Sequence, residues 1–224
     1  MRNAVIIDQQ YVVTVDNSGC IGEKELDAVK ASNELTAYYS ARVGLLEQWC
    51  AGSHPTHLFL SNFTGEDAWK DYERGISKAL EEIGEKMPPL AGSTESNFKS
   101  LQSGISVMMV GKILRDTSAE LCDWFVVGKP LVGQEVIEHK DDVVKLSEIY
   151  LLIKLGVLKR VWPVGSRGIG AELSRLFNGF EVECDLPLEK SSGPATSVIV
   201  AVEKGKTEQL YEYISAPIEP IKIR

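Results

Sequence analysis

The stretch Tyr11-Val12-Val13-Thr14-Val15-Asp16-Asn17-Ser18-Gly19 is a β-branched run that meets a carboxylate and then passes into amide, hydroxyl and glycine. Its first half reads as a strand and its second half as a turn. Upstream, residues 4–7 form another short strand, separated from it by Asp8-Gln9-Gln10. Downstream, Leu35, Tyr38, Tyr39, Val43, Leu46 and Cys50 recur at helical spacing over residues 34–51, and Gly52 supplies a stop. A strand at 57–60, a helix at 66–83, a loop around Pro88, Pro89 and Gly92, and strands at 105–113 and 123–127 follow. Beyond Lys129-Pro130 come a helix at 141–155, a strand at 159–164, a helix at 168–177, strands at 180–184 and 197–202, and a helix at 207–214. The tail, with Pro217 and Pro220, either packs as an extended segment or stays loose. Interleaved strands and helices place the chain in the α/β or α+β class, with a seam near 129–140.

Composition bounds the function. The 224 residues carry 24 basic and 32 acidic side chains, a formal charge of −8, with 44% apolar and 25% charged residues. That is enough apolar material for a core, and it excludes a disordered chain or a disulfide scaffold. The acidity argues against nucleic acid, since no Lys/Arg stripe exists to release counterions from a phosphate backbone. A small polyanion would need local neutralisation, most simply by a divalent cation on carboxylates. Cys20, Cys50, Cys122 and Cys184 form no CxxC pair. The N-terminal apolar run of four residues is too short for a signal peptide, and no stretch approaches membrane-spanning length, so a cytoplasmic protein with no membrane partner is expected. His54, His57 and His139 match no nucleophile or metal-ligand pattern.

Four segments concentrate polar, glycine-flanked residues at element ends, where sites are commonly built. Asp16-Asn17-Ser18-Gly19, continued through Gly22, Lys24 and Asp27, either holds a hard cation beside free backbone N–H groups or merely starts a turn. Glu47, between Leu46 and Trp49, is either a ligand on an apolar helix or part of a solvated stripe with Gln48 and Arg42. The run Gly92-Ser93-Thr94-Glu95-Ser96-Asn97 either cradles a phosphate or is a flexible polar loop. In Pro163-Val164-Gly165-Ser166-Arg167-Gly168-Ile169-Gly170, a strand leads through a glycine turn into a helix, a geometry that aims N–H groups at an anion, with Arg167 as a charged fork. This turn looks like the nucleotide loop of short-chain dehydrogenases. However, only 54 residues follow Gly170, and the single Tyr-x-x-x-Lys match, Tyr150 to Lys154, precedes the loop.

In order, these tracts resemble the ATP-binding superfamily of aminoimidazole ribonucleotide synthetase, selenophosphate synthetase and thiamine-monophosphate kinase, and within it the short bacterial α-ribazole kinases of cobalamin salvage. The stretches that carry the resemblance are 14–27, Ala41-Arg42-Val43-Gly44-Leu45-Leu46-Glu47 with Ala51-Gly52, 93–97, Gln102-Ser103-Gly104, Gly128-Lys129-Pro130, Val132-Gly133, 163–169 and Ser192-Gly193-Pro194-Ala195-Thr196. They span nearly the whole chain.

The resemblance implies an α+β fold of the aminoimidazole ribonucleotide synthetase type. Residues 1–134 would form an ATP- and Mg²⁺-binding, dimer-forming domain, a mixed sheet with helices on one face, and residues 135–224 a shortened α/β domain. It further implies ATP as phosphoryl donor, Mg²⁺, a nucleoside-like small-molecule acceptor and a homodimer built through strands of the first domain. Carried over by position, Asp16 and Glu47 are implied metal ligands. Ser93 stands where an acidic ligand is expected, with Glu95 as its substitute two residues on. Asn17, Ser18, Gly19, Ser93, Thr94 and Asn97 are implied in ATP and phosphate binding, as are Gly165, Ser166, Arg167 and Gly168, which replace an acidic turn. Lys24 is the candidate for covering the phosphates and Asp27 for the proton acceptor. The acceptor molecule, or a purely nucleotide-binding role, stays open at this level.

Overall fold

Side chains along an extended strand alternate between two faces, and residues 11–19 realise this: Val12 and Thr14 are buried while Tyr11, Val15 and Asn17 are exposed. The computed structural model describes residues 3–224, and the chain divides into two units, the first ending at Arg115 and the second beginning at Asp116.

In the first unit, β1 (Val5–Ile7) and β2 (Tyr11–Gly19) form a hairpin. Asp8 and Gln9 both adopt positive φ (49° and 56°) at its turn, and Gln10 N donates to Ile7 O. Two successive left-handed residues match the twist of the flanking strands. Short strands β3 (Ile21–Gly22) and β4 (Val29–Lys30) lead to α1 (Asn33–Cys50). β5 (Ser53–Asn62), α2 (Trp69–Glu81), β6 (Leu90–Thr94) and β7 (Gly104–Ile113) complete the unit. The sheet order is β1-β2-β7-β5-β6, antiparallel except for the parallel β5/β6 pair.

Both helices lie on one face of this sheet. α1 packs over β2, β7 and β5, and α2 packs on α1, with Trp69 reaching Gly92 of β6. Fourteen of the eighteen α1 residues are buried, so the helix is enclosed nearly all round. Ser32 caps it, its hydroxyl accepting from Leu35 N, which satisfies one of the orphan donors of the first turn. Gln48 on α1 is fully buried, and its Nε2 donates to Val12 O, Thr14 Oγ1 and Met109 O, all at 3.1 Å. The side chain thus fastens the helix to the β2/β7 pair.

β6 is an addition to the expected elements. The sequence reading makes this segment a loop around Pro88, Pro89 and Gly92, and Ala91, Gly92 and Ser93 lack β-branched bulk. Yet parallel pairing with β5 fixes Leu90 through Thr94 as an edge strand.

The second unit holds β8 (Cys122–Val127), α3 (Glu135–Glu138), α4 (Leu146–Lys154), β9 (Leu158–Pro163), α5 (Gly168–Leu176), β10 (Val182–Glu183), β11 (Val198–Glu203), α6 (Thr207–Tyr213), β12 (Ile218–Pro220) and β13 (Lys222–Ile223). Its four-stranded sheet runs β12-β8-β11-β9, and every pair in it is antiparallel, where an α/β layer was the expectation. β11 sits at its centre, buried from Val198 to Val202, which is why that stretch is continuously apolar. The boundary at 115/116 corrects the expected 134/135. β8 is hydrogen-bonded to β11 and β12, so residues 122–127 belong to the second sheet. The helix expected over 141–155 begins only at Leu146, preceded by a 3-10 turn at Lys140–Asp142. The proline-bearing tail is ordered into β12 and β13, the latter paired with β10. Among the described residues, no helix is long and apolar enough to cross a membrane.

Candidate functional site

In the first unit, the strand ends gather the sequence-predicted residues at one edge. β2, β5 and β6 all finish there and β7 begins there, with Gly19 opposite Gly104 and Asn62 opposite both Ile105 and Thr94. Two loops, 20–32 after β2 and 95–103 before β7, rise from this edge.

The period of two sorts the predicted residues onto opposite faces. Asp16, half-buried, follows Thr14 on the helix side, where Thr14 Oγ1 donates to Gly44 O of α1. Ser18 shares that side, as does Thr94, whose Oγ1 accepts from Asn62 Nδ2 at 3.2 Å. Asn17 and Ser93 instead align with Ser106 and Ser61 in a single cross-strand row on the open face. The phosphate set expected from the sequence is therefore divided: Asp16, Ser18 and Thr94 on one face, Asn17 and Ser93 on the other. Gly19 is exposed, with nothing within 4 Å of where a Cβ would stand.

Asn62 is a positioning residue that the sequence reading missed. It is 1% exposed. Its Nδ2 also donates to Gly65 O, its Oδ1 accepts from Thr64 N, and its carbonyl accepts from Glu95 N. One buried amide thereby fixes both the 63–65 turn and the end of β6. A lone Asn between an apolar strand and a Phe-Thr-Gly turn carries no local signal of this role.

Asp27, expected as a proton acceptor, is occupied. Its Oδ1 accepts from Ser103 N at 2.7 Å, and its Oδ2 from Ser103 Oγ at 2.7 Å and Lys24 N at 2.9 Å. Burial pushes this carboxyl's pKa up, but the Ser103 hydroxyl and N–H, the Lys24 N–H and the Lys30 charge outweigh it and leave the pKa lowered. A carboxylate with three donors and a depressed pKa is a structural tie between the two loops and a poor proton acceptor. Because its folded pKa lies below its unfolded one, the stability it contributes is present above the unfolded value and is lost as pH falls through the folded value. Acid unfolding monitored by circular dichroism is thus expected to steepen below about pH 4. Asp27→Asn should flatten that dependence, and an unchanged acid profile in the variant would refute the tie.

Lys24 Nζ does not project freely. It donates to Ser100 O at 2.8 Å and to Ser100 Oγ at 2.6 Å.

The three carboxylates named as metal ligands do not assemble. Among the described residues, no group of three or more His, Cys, Asp or Glu side chains is placed to hold a metal ion. Glu95 Oε1 accepts from Asn97 N at 2.7 Å, closing a local turn that also engages Asn97. Glu47 is 1% exposed, Gln48 0% and Arg42 1%, so the solvated-stripe alternative for this part of α1 is excluded. Magnesium that arrives on a nucleotide needs only one or two carboxylates beside the phosphates. Asp16, half-buried in the second half of β2, fits that requirement.

In the second unit, the glycine turn at 165–168 packs against its own chain. Gly168 N donates to Gly165 O, Gly170 N to Leu188 O, and Ser192 N to Gly165 O. Gly168 has φ +77°, and a Cβ there would lie 2.4 Å from Leu188 O. Close passage of residues 188–190 therefore accounts for this glycine, and part of the expected N–H cradle is already engaged. Ser166 and Arg167 remain exposed at the turn. The neighbouring tracts 128–131 and 192–197 meet through buried hydroxyls: Thr196 Oγ1 donates to Lys129 O and accepts from Leu131 N, and Ser192 Oγ bonds both Thr196 Oγ1 and Ser197 Oγ.

No protein-family model matches this chain, and no curated protein matches it. Solved structures do. Thiamine monophosphate kinase from Aquifex aeolicus is 15% identical with a TM-score of 0.65, over 99% of this chain and 88% of that one. A structure of AaThiL complexed with AMPPCP and TMP is 17% identical, TM-score 0.62, over 99% and 83%. The HypE–HypF complex is 14% identical, TM-score 0.64, over 99% and 87%. At these identities the likeness concerns the fold: this chain has the mixed α+β fold of the aminoimidazole ribonucleotide synthetase type.

Proposed function

We propose that this protein is an ATP-dependent small-molecule kinase, with the 5′-hydroxyl of the nucleoside α-ribazole as acceptor and α-ribazole 5′-phosphate as product. The observation that carries the reading is the meeting of Asp16, Ser18, Thr94 and the Lys24 loop at one strand-end edge, in a fold shared with a kinase solved in complex with the ATP analogue AMPPCP. Phosphoryl transfer depends chiefly on in-line positioning and on charge neutralisation, with little covalent chemistry left to the protein. A magnesium ion arriving with ATP and held by Asp16 would neutralise phosphate charge. Lys24 supplies the first unit's own positive charge at this edge, Ser18 and Thr94 offer hydroxyl donors to phosphate oxygens, and Asn62 holds Thr94 in place. With Asp27 engaged as a tie, no dedicated base is assigned to the acceptor hydroxyl. The test is to incubate purified protein with magnesium, ATP and α-ribazole, measuring ADP and the monophosphate. ADP release with a different nucleoside-like acceptor and none with α-ribazole would keep the kinase and discard the acceptor.

A second reading follows from the lack of a three-carboxylate group among the described residues. On it, the chain binds nucleotide without turnover. Calorimetry that records ATP binding while no acceptor yields ADP would favour it.

The homodimer belongs to the same proposal. The open face of the first sheet carries Val15, Met108, Phe59 and Ala91 in one cross-strand row, Val13 and Val110 beside it, and Val15 is 47% exposed. A second copy stacked on this face would remove those side chains from water. Sedimentation equilibrium is expected to give a dimer, reverting to monomer in Val15→Lys; a monomeric wild type would refute it.

A further inference from the structure

Two loops that flank the strand-end edge are sewn together by three side chains. Asp27 holds Ser103 through both its N–H and its hydroxyl, Gln102 Nε2 donates to Leu26 O at 2.7 Å, and Lys24 Nζ grips Ser100. The first two ties sit at the base of the 95–103 loop, next to β7, and the third lies furthest toward its tip. They differ in chemistry. Asp27 is a carboxylate satisfied by protein donors, whereas the Lys24 ammonium meets a carbonyl and a hydroxyl, both neutral, and has no carboxylate within ion-pair distance among the described residues. In a chain of net charge −8, a cation held only by neutral oxygens is open to capture by an anion. On either side of Ser100 the loop carries Phe98 and Leu101, 80% and 71% exposed, and neither side chain is held by packing.

We propose that the Lys24–Ser100 contact is a latch released by polyphosphate. A nucleotide's phosphate oxygens, being ionised, outcompete the Ser100 carbonyl and hydroxyl for the Lys24 ammonium. Residues 96–101 are then freed to move about the Asp27–Ser103 tie, which stays closed. This inference rests on the nucleotide reading above and adds an order of events: nucleotide first, then rearrangement of the apolar tip formed by Phe98 and Leu101. The acceptor's uncharged ring would meet that tip only after the phosphates are seated.

Hydrogen–deuterium exchange of the 95–101 segment tests it, with inorganic triphosphate and ATP as probes on the full chain. In the free protein, Lys24→Met is expected to raise exchange in this segment several-fold, and Ser100→Ala, which keeps the carbonyl, to raise it less. Triphosphate should raise exchange in the wild type to the level of Lys24→Met and produce no further rise in that variant. Exchange unchanged in Lys24→Met, or slowed by triphosphate in the wild type, overturns the latch. If calorimetry shows that triphosphate and ATP bind while the loop does not respond, the latch fails and the nucleotide reading stands. If neither binds, both fall. Near-ultraviolet circular dichroism confirms that each variant retains its packing before exchange is compared.

Discussion

Asp16→Asn is expected to lower ATP turnover by about 100-fold or more, the scale seen when one preorganised electrostatic contact to a phosphate or oxyanion is removed. Asn keeps the size and one oxygen of the side chain at a half-buried position in the second half of β2, so the melting temperature should move much less than the turnover. The loss belongs in kcat/KM for the magnesium nucleotide, because the carboxylate's charge is what a phosphate-bound cation needs. Glu47→Gln is the informative partner. If α1 supplies a second ligand, its effect on turnover should match that of Asp16→Asn. At 1% exposure, Glu47 is instead expected to show itself in thermal unfolding, with nucleotide kinetics nearly unchanged. Full activity in Asp16→Asn would remove the strand-end site from consideration, and equal kinetic losses in both variants would return Glu47 to it.

The contrast between these two carboxylates shows where the sequence is legible. The β-branched run over residues 11–15 and helical spacing over 34–51 were enough to place the start of β2, α1 and the mixed class, whereas residues 16–19, expected as a turn, continue the strand because they pair with β7 as far as Gly104. The same residues left Glu47 undecided between ligand and solvated stripe. The solvated stripe is excluded, since Glu47 is 1% exposed on a helix enclosed nearly all round, a tertiary fact that spacing does not encode. β6 escaped notice because its pairing with β5 is made by backbone groups, with small side chains that carry no strand signature. The domain seam was misplaced for a related reason: Lys129-Pro130 is a visible break in the sequence, but β8 before it is committed by hydrogen bonds to β11 and β12, which lie far along the chain. Glycine was the least reliable guide to chemistry. Gly168 looks like part of an anion turn, and what its φ of +77° serves is the close passage of residues 188–190.

Gly75 carries the largest expected effect on folding, for the same steric reason. A Cβ built on it would stand 2.1 Å from Glu34 O and 2.9 Å from both Ala37 Cβ and Tyr38 N, so the two helices cross here backbone to backbone. Gly to Ala inside an exposed helix normally gains about 1 kcal/mol. Here the methyl meets a carbonyl oxygen, which no rotamer change relieves, and α1 cannot retreat because its other side is packed on β2, β7 and β5. Overpacking of this kind costs about 1–3 kcal/mol for a single methyl, and more when backbone must move. Gly75→Ala is therefore expected to destabilise the protein despite the helix propensity gained, and Gly75→Val to lose more than about 3 kcal/mol, a large part of the 5–15 kcal/mol that holds typical domains folded. Gly19→Ala is the matched control, since nothing lies within 4 Å of its Cβ position. Urea unfolding of the three variants should give a midpoint near wild type for Gly19→Ala, a lower one for Gly75→Ala and the lowest for Gly75→Val. A Gly75→Ala protein as stable as wild type would mean that α1 and α2 do not cross at this position.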